Sequence, residues 1–420
     1  MNIFYNLSMR ALPGLLRVHG VFNTKSRQAA VGRNHWRRTL RQRLAALPQG
    51  SRIVWFHAAS LGEFEQGRPV LEALRRRMPE VRILLTFFSP SGYNVRKDYP
   101  GADIVTYLPF DTPSAARDFV RMVHPAAAVF IKYEFWGNFL QRIHREHIPL
   151  YLISARFDAR QAFFKPYGRF MRRLLPLFTL IFTQDGESVS LLRSIGIKRC
   201  RAAGDTRFDR VADILKRDNT LPFLETFKDG KKLVVAGSAW EKDEELMEAL
   251  IAARAGDPGV KYLIAPHDIH PERIRRLCAA LPDAVLYSKR EGSDLASARV
   301  LVLDTVGILT KVYSYADLTL IGGGFTRSGI HNVLEPAVFG RPVLCGPNYA
   351  DYIEAIGLKG CGGLTVVGDA EEFIEAAGRF LDDPKAFAHS AMASRDFVRN
   401  NAGATQKIVE ALVEELTDKK

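Results

Sequence analysis

Short apolar runs rich in β-branched residues alternate with amphipathic stretches along most of the chain. This alternation predicts parallel sheets wrapped by helices. In the first half, strands are expected at 53–57, 81–87, 103–107, 127–131, 150–153 and 180–183, with helices over about 65–77, 113–123, 135–146 and 187–194. Segment 209–230 is polar, is broken by Pro222 and Gly230, and reads as a linker. The pattern then restarts, with strands at 233–236, 262–265, 285–287, 300–303, 318–321 and 342–344 and helices over about 242–253, 271–280, 307–315, 332–339 and 370–381. A long final helical stretch, 383–415, can reach back across the linker. The reading is α/β: two Rossmann-like, doubly wound domains, 51–208 and 231–382, facing a cleft, with 1–50 set apart and 383–420 crossing back. Ligands of such sheets bind beyond the carboxyl ends of the strands.

The first fifty residues have a different pattern. Phe4, Leu7, Ala11, Leu15, Val18 and Phe22 recur at three- and four-residue steps, beside nine Lys or Arg and no acid before Glu63. One apolar face in a basic surround predicts a segment lying in a membrane interface, drawn to anionic headgroups. A helix packed on the domain with a solvated basic tail fits the same pattern, and Pro13-Gly14 weakens a continuous helix. The cleft residues all lie beyond Arg52, so removal of 1–22 is expected to spare the chemistry. The whole chain of 420 residues carries a net charge of +13, which suits acidic substrates. No aromatic-interleaved basic run points to nucleic acid. No run of 18 apolar residues predicts a bilayer-spanning helix, and no signal peptide is expected. The four cysteines lack C-x-x-C spacing and are expected to be buried, reduced thiols of a cytoplasmic protein.

Candidate chemistry falls at strand ends. Gly322-Gly323-Gly324 follows the strand expected at 318–321 and precedes an apolar-periodic run opened by His331 and Asn332. A strand, glycine loop and helix start suits a phosphate, although an ordinary tight turn has the same signature. Asn332 and Glu335 lie one helical turn apart, and a carboxylate there can accept ribose hydroxyls. Glu63, in Ser60-Leu61-Gly62-Glu63, reads as a carboxylate in a glycine loop just before a helix. It suits a general base on a sugar hydroxyl, or a first-turn acid that stabilises its helix, with Glu65 as the neighbouring alternative. Glu134 follows the strand at 127–131 and is either a site residue or a helix cap. Arg207, in Gly204-Asp205-Thr206-Arg207, can meet an anionic leaving group or sit as a surface arginine. Ser154-Ala155-Arg156 poses the same choice. No acidic metal motif stands in a convincing position.

In this order, the segments FHAASLGEFEQGRPVLEALR, YEFWGNFL, ISARF, AGDTRFD, GSAWEKDEEL, APHDIHPER, LVLDTVGIL, YADLTLIGGGF and GIHNVLEPAVFGRPVLCGP resemble the 3-deoxy-D-manno-octulosonic acid (Kdo) transferases of lipopolysaccharide synthesis. They span about residues 52 to 348, and the basic apolar start also looks like that family's membrane-associated one. The resemblance implies a two-domain GT-B glycosyltransferase acting at the cytoplasmic face of the inner membrane, with CMP-Kdo as donor and a phosphorylated lipid A precursor as acceptor. It implies no metal and no cofactor. Glu63 stands where the family has its general base, and Glu134 and Arg207 stand at positions of transition-state support. The family usually has lysine at the position of Arg207. Nucleotide contacts are implied at Pro266 and His267, at Val306, Gly307 and Ile308, and at Asn332, Val333, Leu334 and Glu335. The stretch Pro266-His267-Asp268-Ile269-His270-Pro271 is longer than the family's usual one and lacks its arginine. Ile308 stands where the family usually has glutamate.

Overall fold

The computed structural model describes residues 3–418, which form two compact units. One unit holds the chain up to Asp209 and again from Ala402, and the other runs from Arg210 to Asn401.

The first unit has seven parallel strands: β1 (Ile53–Ala58), β2 (Arg82–Phe87), β3 (Ile104–Tyr107), β4 (Ala127–Ile131), β5 (Leu150–Ala155), β6 (Leu180–Thr183) and β7 (Cys200–Ala202). Their order is β3-β2-β1-β4-β5-β6-β7. Helices cover both faces, so the central strands are mostly apolar rather than alternating with polar residues. Neighbouring residues of one strand feed opposite cores. Trp55, Phe130 and Leu152 join one, while Val54, Phe56, Val129 and Ile153 join the other.

The second unit repeats the plan with β8 (Lys232–Ala239), β9 (Val260–Pro266), β10 (Val285–Leu286), β11 (Val300–Val302), β12 (Leu318–Ile321), β13 (Val343–Cys345) and β14 (Leu364–Val366), in the order β10-β11-β9-β8-β12-β13-β14. Each sheet starts in the middle, grows to one side, then crosses to the other. The crossings put a topological switch point between β1 and β4 in one unit and between β8 and β12 in the other.

Several local expectations are corrected. The helix expected from Glu65 starts earlier. Ser60 caps α4 (Leu61–Arg77), so Glu63 lies in its first turn rather than in a loop. Segment 209–230 is mostly helical, and Leu224 and Phe227 are buried, so its polar composition marks exposed helix faces. The final stretch is broken at Gly403, whose φ is 108°. Its first part, Pro384–Asn401, belongs to the second unit, and Ala404–Asp418 returns to the first, burying Ile408, Leu412 and Leu416 beside Leu71 and Leu74 of α4. Asp209 receives this last helix through the N–H groups of Gly403 and Thr405. Of the cysteines, Cys200 and Cys345 are buried, but Cys361 is exposed.

The basic N-terminal segment forms α1 (Ile3–His19), α2 (Thr24–Val31) and α3 (Trp36–Ala45). Pro13 lies inside α1 without ending it, and α1 buries no residue fully. Residues 24–45 are anchored on the first unit through a few side chains, with Trp36, Leu40 and Leu44 packed into its core. Leu40 is 1% exposed, and the buried Arg33 guanidinium donates to the carbonyls of Ala29, Phe88 and Leu108. It also lies over the rings of Phe88, Tyr107 and Phe110, and its burial pushes its pKa down to about 10.

Candidate active site

At the first unit's switch point, β1 and β4 deliver two carboxylates. Ser60 has an extended backbone and its hydroxyl accepts weakly, at 3.5 Å, from the Glu63 N–H. Glu63 Oε2 accepts the Ala59 N–H at 2.6 Å. Glu63 therefore does serve its helix start, tying it to the residue just before the Ser60 cap. It is also half-buried. Burial, then the neighbouring Glu134 carboxylate, raises its pKa, while the Ala59 N–H, His57 and Lys132 act the other way. Glu65 is occupied by Arg96 at 2.7 Å and Arg68 at 3.3 Å, a structural role.

Glu134 is brought beside Glu63 by a sharp turn. Lys132, one residue past β4, has a left-handed backbone with φ 67°, which swings the chain back over the sheet's carboxyl edge. Glu134 is 8% exposed, and its Oε2 lies 3.0 Å from His57 Nε2 and 2.6 Å from the Trp136 indole N–H. His57 is fully buried in β1, and its Nδ1 is 2.9 Å from Thr86 Oγ1 and 3.1 Å from the Thr86 carbonyl. The Trp136 indole N–H also lies 3.0 Å from His57 Nε2, so imidazole, indole and carboxylate form one cluster. Glu134 is not a helix cap. The following helix, Gly137–Arg145, is capped from afar by Asp111, which accepts the N–H groups of Asn138 and Phe139, each at 2.9 Å. Asp111 is fully buried, and that burial pushes its pKa up to about 6.

Sequence reasoning missed His57, Thr86, Trp136 and Asp111. One signal was present: a histidine inside an apolar strand, IVWFHA, at the strand's carboxyl end. Arg207 follows β7, and its guanidinium is held by Asp205, with Nη2 2.7 Å from Oδ2. Ser154, with φ 55°, bonds Thr206 at 3.1 Å, and Arg156 lies 3.5 Å from Asp185.

The second unit's switch point is built differently. Past β8, Trp240 stacks on His267 with ring centroids 4.4 Å apart, and His267 stacks on His331 at 4.6 Å. The Trp240 indole N–H points at His331 Nε2, 3.2 Å away. Burial, and then His267, lowers the basicity of His331. The loop Gly322–Gly324 follows β12. A Cβ on Gly322 would strike the Ser238 carbonyl and one on Gly324 the Gly346 amide, while Gly323 has φ 93°. These glycines are required by the chain's own backbone. Asp243 is buried and ties the strand ends together, accepting the N–H groups of Trp240 at 2.8 Å and Gly323 at 2.9 Å. Its other oxygen is buried without a partner among the described residues, and burial raises its pKa.

The helix expected over 332–339 is only Leu334–Val338, with Pro336 in its first turn and Gly340, at φ 65°, just beyond its end. Asn332 precedes it and accepts the Leu334 N–H at 3.0 Å, while Val333 and Leu334 are buried. Glu335 is already engaged: Oε1 accepts from Asn332 Nδ2 at 3.0 Å and Oε2 from Thr310 Oγ1 at 2.7 Å. Each carboxylate oxygen can accept more than one hydrogen bond, so the group keeps acceptor capacity. Val306 is exposed, Gly307 has φ 93°, and Ile308 opens the turn Leu309–Val312. Pro266 ends β9, and His267 is exposed. Among the described residues, no group of three His, Cys, Asp or Glu is gathered as for a metal ion.

Comparison with known proteins fits this geometry. Residues 36–210 match the family model of the 3-deoxy-D-manno-octulosonic-acid transferase (kdotransferase). The chain is 26% identical to the 3-deoxy-D-manno-octulosonic acid transferase of Haemophilus influenzae, over 87% of each chain. It is 29% identical to that of Bordetella pertussis, over 86% of each. Among solved structures, it resembles the UDP-GlcNAc 2-epimerase of Neisseria meningitidis, solved bound to UDP-GlcNAc. The TM-score is 0.62 and the identity 15%, over 86% of this chain and 100% of the epimerase. A UDP-N-acetylglucosamine 2-epimerase from Listeria monocytogenes gives a TM-score of 0.60 at 15% identity, over 88% of this chain and 98% of that one. The structural likenesses establish the GT-B type of fold and nothing about substrate. Residues 36–210 are a domain of the Kdo transferase family, and the chain is a homologue of 3-deoxy-D-manno-octulosonic acid transferases.

Proposed function

We propose that this protein is an inverting glycosyltransferase that moves Kdo from CMP-Kdo to a phosphorylated lipid A precursor, at the cytoplasmic face of the inner membrane. The observation that carries the mechanism is the half-buried Glu63 carboxylate, whose pKa is raised by burial and by Glu134 at the β1–β4 switch point. A general base works best with a pKa near the operating pH, and both effects move Glu63 that way. Glu63 takes the proton of the acceptor's glucosamine hydroxyl. The freed oxygen attacks the anomeric carbon of Kdo, and the bond from that carbon to the CMP phosphate oxygen breaks. The proton ends on Glu63, and CMP carries away the bonding pair.

The transition state is oxocarbenium-like, and Glu134, held by His57 and Trp136, supports its positive charge. Arg207 supports the departing phosphate, as a fixed positive group does at a developing anion. In the second unit, the nucleotide is held at Pro266 and His267, at Val306 to Ile308, and at Asn332 to Glu335, with Glu335 accepting from the ribose. No helix of the described residues is long and apolar enough to cross a membrane. The exposed Phe4, Leu7, Leu15, Val18 and Phe22 instead form the surface that docks in an anionic membrane interface.

Mass spectrometry of a lipid A precursor after incubation with CMP-Kdo tests the reading. The expected product is heavier by one or more Kdo units. An unmodified acceptor, or modification from a UDP-sugar instead, overturns it.

A further inference from the structure

Helix α1 has an exposed face and a face turned toward the rest of the first unit. Phe4, Leu7, Leu15 and Val18 are exposed, whereas Tyr5 and Asn6 turn inward. Tyr5 Oη donates to Asp111 Oδ2 at 2.5 Å and accepts the Gly137 N–H at 3.2 Å. Asn6 Oδ1 accepts from Asn138 Nδ2 at 2.9 Å, and the Tyr5 ring lies 5.4 Å from that of Phe170. The first amides of a helix have no partner inside it. In the helix Gly137–Arg145, Tyr5 takes the first of them, and Asp111, which Tyr5 also holds, takes the next two.

Gly137 directly follows Trp136. The Trp136 ring lies 4.5 Å from Phe88, and its N–H bonds Glu134. A short chain of contacts therefore runs from Tyr5 through the Trp136–Gly137 peptide to the carboxylate beside Glu63. This geometry bears on the expectation that residues 1–22 can be removed without touching the chemistry, because Tyr5 and Asn6 contact groups next to Trp136.

We infer that Tyr5 is a positioning residue for the Glu134 turn, so that the helix facing the membrane also braces the active site. The inference rests on the transferase reading. Loss of the Tyr5 hydroxyl leaves the buried Gly137 amide unpaired and takes one donor from Asp111. The Trp136–Gly137 peptide is then free to rotate, and small misplacements of catalytic groups are costly in rate.

The test uses the full chain with Tyr5→Phe, which keeps the ring, and Asn6→Ala, which removes the second tie. Transfer from CMP-Kdo to a detergent-dispersed acceptor is measured well below the melting temperature, with flotation on phosphatidylglycerol vesicles alongside. Hydrogen exchange is followed in peptides covering 132–140. Tyr5→Phe is expected to lower kcat by about ten- to a hundred-fold. The KM for CMP-Kdo and the vesicle flotation should be unchanged, and exchange at 132–140 should speed up by roughly ten-fold. Asn6→Ala should do the same to a smaller degree. A kcat within about two-fold of wild type in both variants overturns the inference, as does a loss that merely tracks the unfolded fraction. A wild-type chain that transfers no Kdo would strike the transferase reading itself, while unchanged exchange at 132–140 would strike the brace.

Discussion

The two switch points occupy the same place in two similar sheets, yet their chemistry differs. The one between β1 and β4 gathers Glu63, Glu134 and His57, with buried Asp111 behind them. The one between β8 and β12 gathers Trp240, His267 and His331 beside a glycine turn, with Glu335 nearby. A low-dielectric pocket holding several carboxylates is costly to build, because each charge loses its hydration. Such an arrangement persists where proton transfer or charge stabilisation needs it. Rings, backbone turns and one hydrogen-bonded carboxylate are suited instead to holding a nucleotide. On the proposed reading, the same sheet plan serves chemistry in one unit and binding in the other.

The largest expected effect separates those roles. Glu63→Gln keeps the acceptor for the Ala59 N–H but cannot take a proton. Transfer should fall by roughly a hundred- to ten-thousand-fold, the usual worth of a general base. CMP affinity, measured by calorimetry, should stay at the wild-type value. Activity within a few-fold of wild type would move the base elsewhere, and a parallel loss of CMP binding would break the division between the units.

The converse substitution is Glu335→Ala. It removes a carboxylate that Asn332 and Thr310 hold in place, and should weaken CMP binding by about 1–3 kcal/mol, the cost typical of a lost hydrogen bond to a charged group. Saturating CMP-Kdo should restore most of the rate, since nothing at the reacting centre changes. Unchanged CMP affinity would reduce the Asn332–Glu335–Thr310 cluster to a structural tie.

A smaller effect tests whether Glu134 acts on Glu63 through its charge. That charge is the second cause of the raised Glu63 pKa. Removing it with Glu134→Gln should lower the Glu63 pKa. The acid limb of the residual kcat/KM profile, which reports the free enzyme's base, should then move to lower pH. A limb that stays in place would mean that Glu134 supports the transition state without tuning the base.

How far the sequence speaks follows from what each feature depends on. Buried strands such as β4, β6 and β12 show as apolar runs, because both faces are covered. The edge strand β14 does not show, since three residues with one side wet have no period to detect. The polar stretch 209–230 looks like a linker because its helices are short and only a few scattered residues, among them Val211, Ile214, Leu224 and Phe227, are buried apolar ones. Glu63 was visible from its place after β1, but its raised pKa was not. That property needs Glu134, which is 71 positions away in the chain and is brought close by the left-handed Lys132. Asp111 capping a helix from a distant loop, and Tyr5 bracing that cap, leave no local pattern at all. The glycine loop was legible as a close approach, but which backbone approached it was not.

The smallest effect concerns stability rather than rate. The Glu63 pKa is raised above its ordinary value in the folded state. Between those two values the folded chain binds more protons than the unfolded one, so this group's contribution to stability falls as pH rises through the window. Above the folded value Glu63 is ionised in both states, and the loss is complete. Glutamine at this position has no such titration. The melting temperature of Glu63→Gln minus that of the wild type should therefore increase as pH climbs from acid through the window above the ordinary glutamate value, then level off. Any constant offset from the substitution cancels in that slope. A difference that stays flat with pH would mean that Glu63 is not strained by its burial and by Glu134, and the first switch point would then resemble the second more closely than its carboxylates suggest.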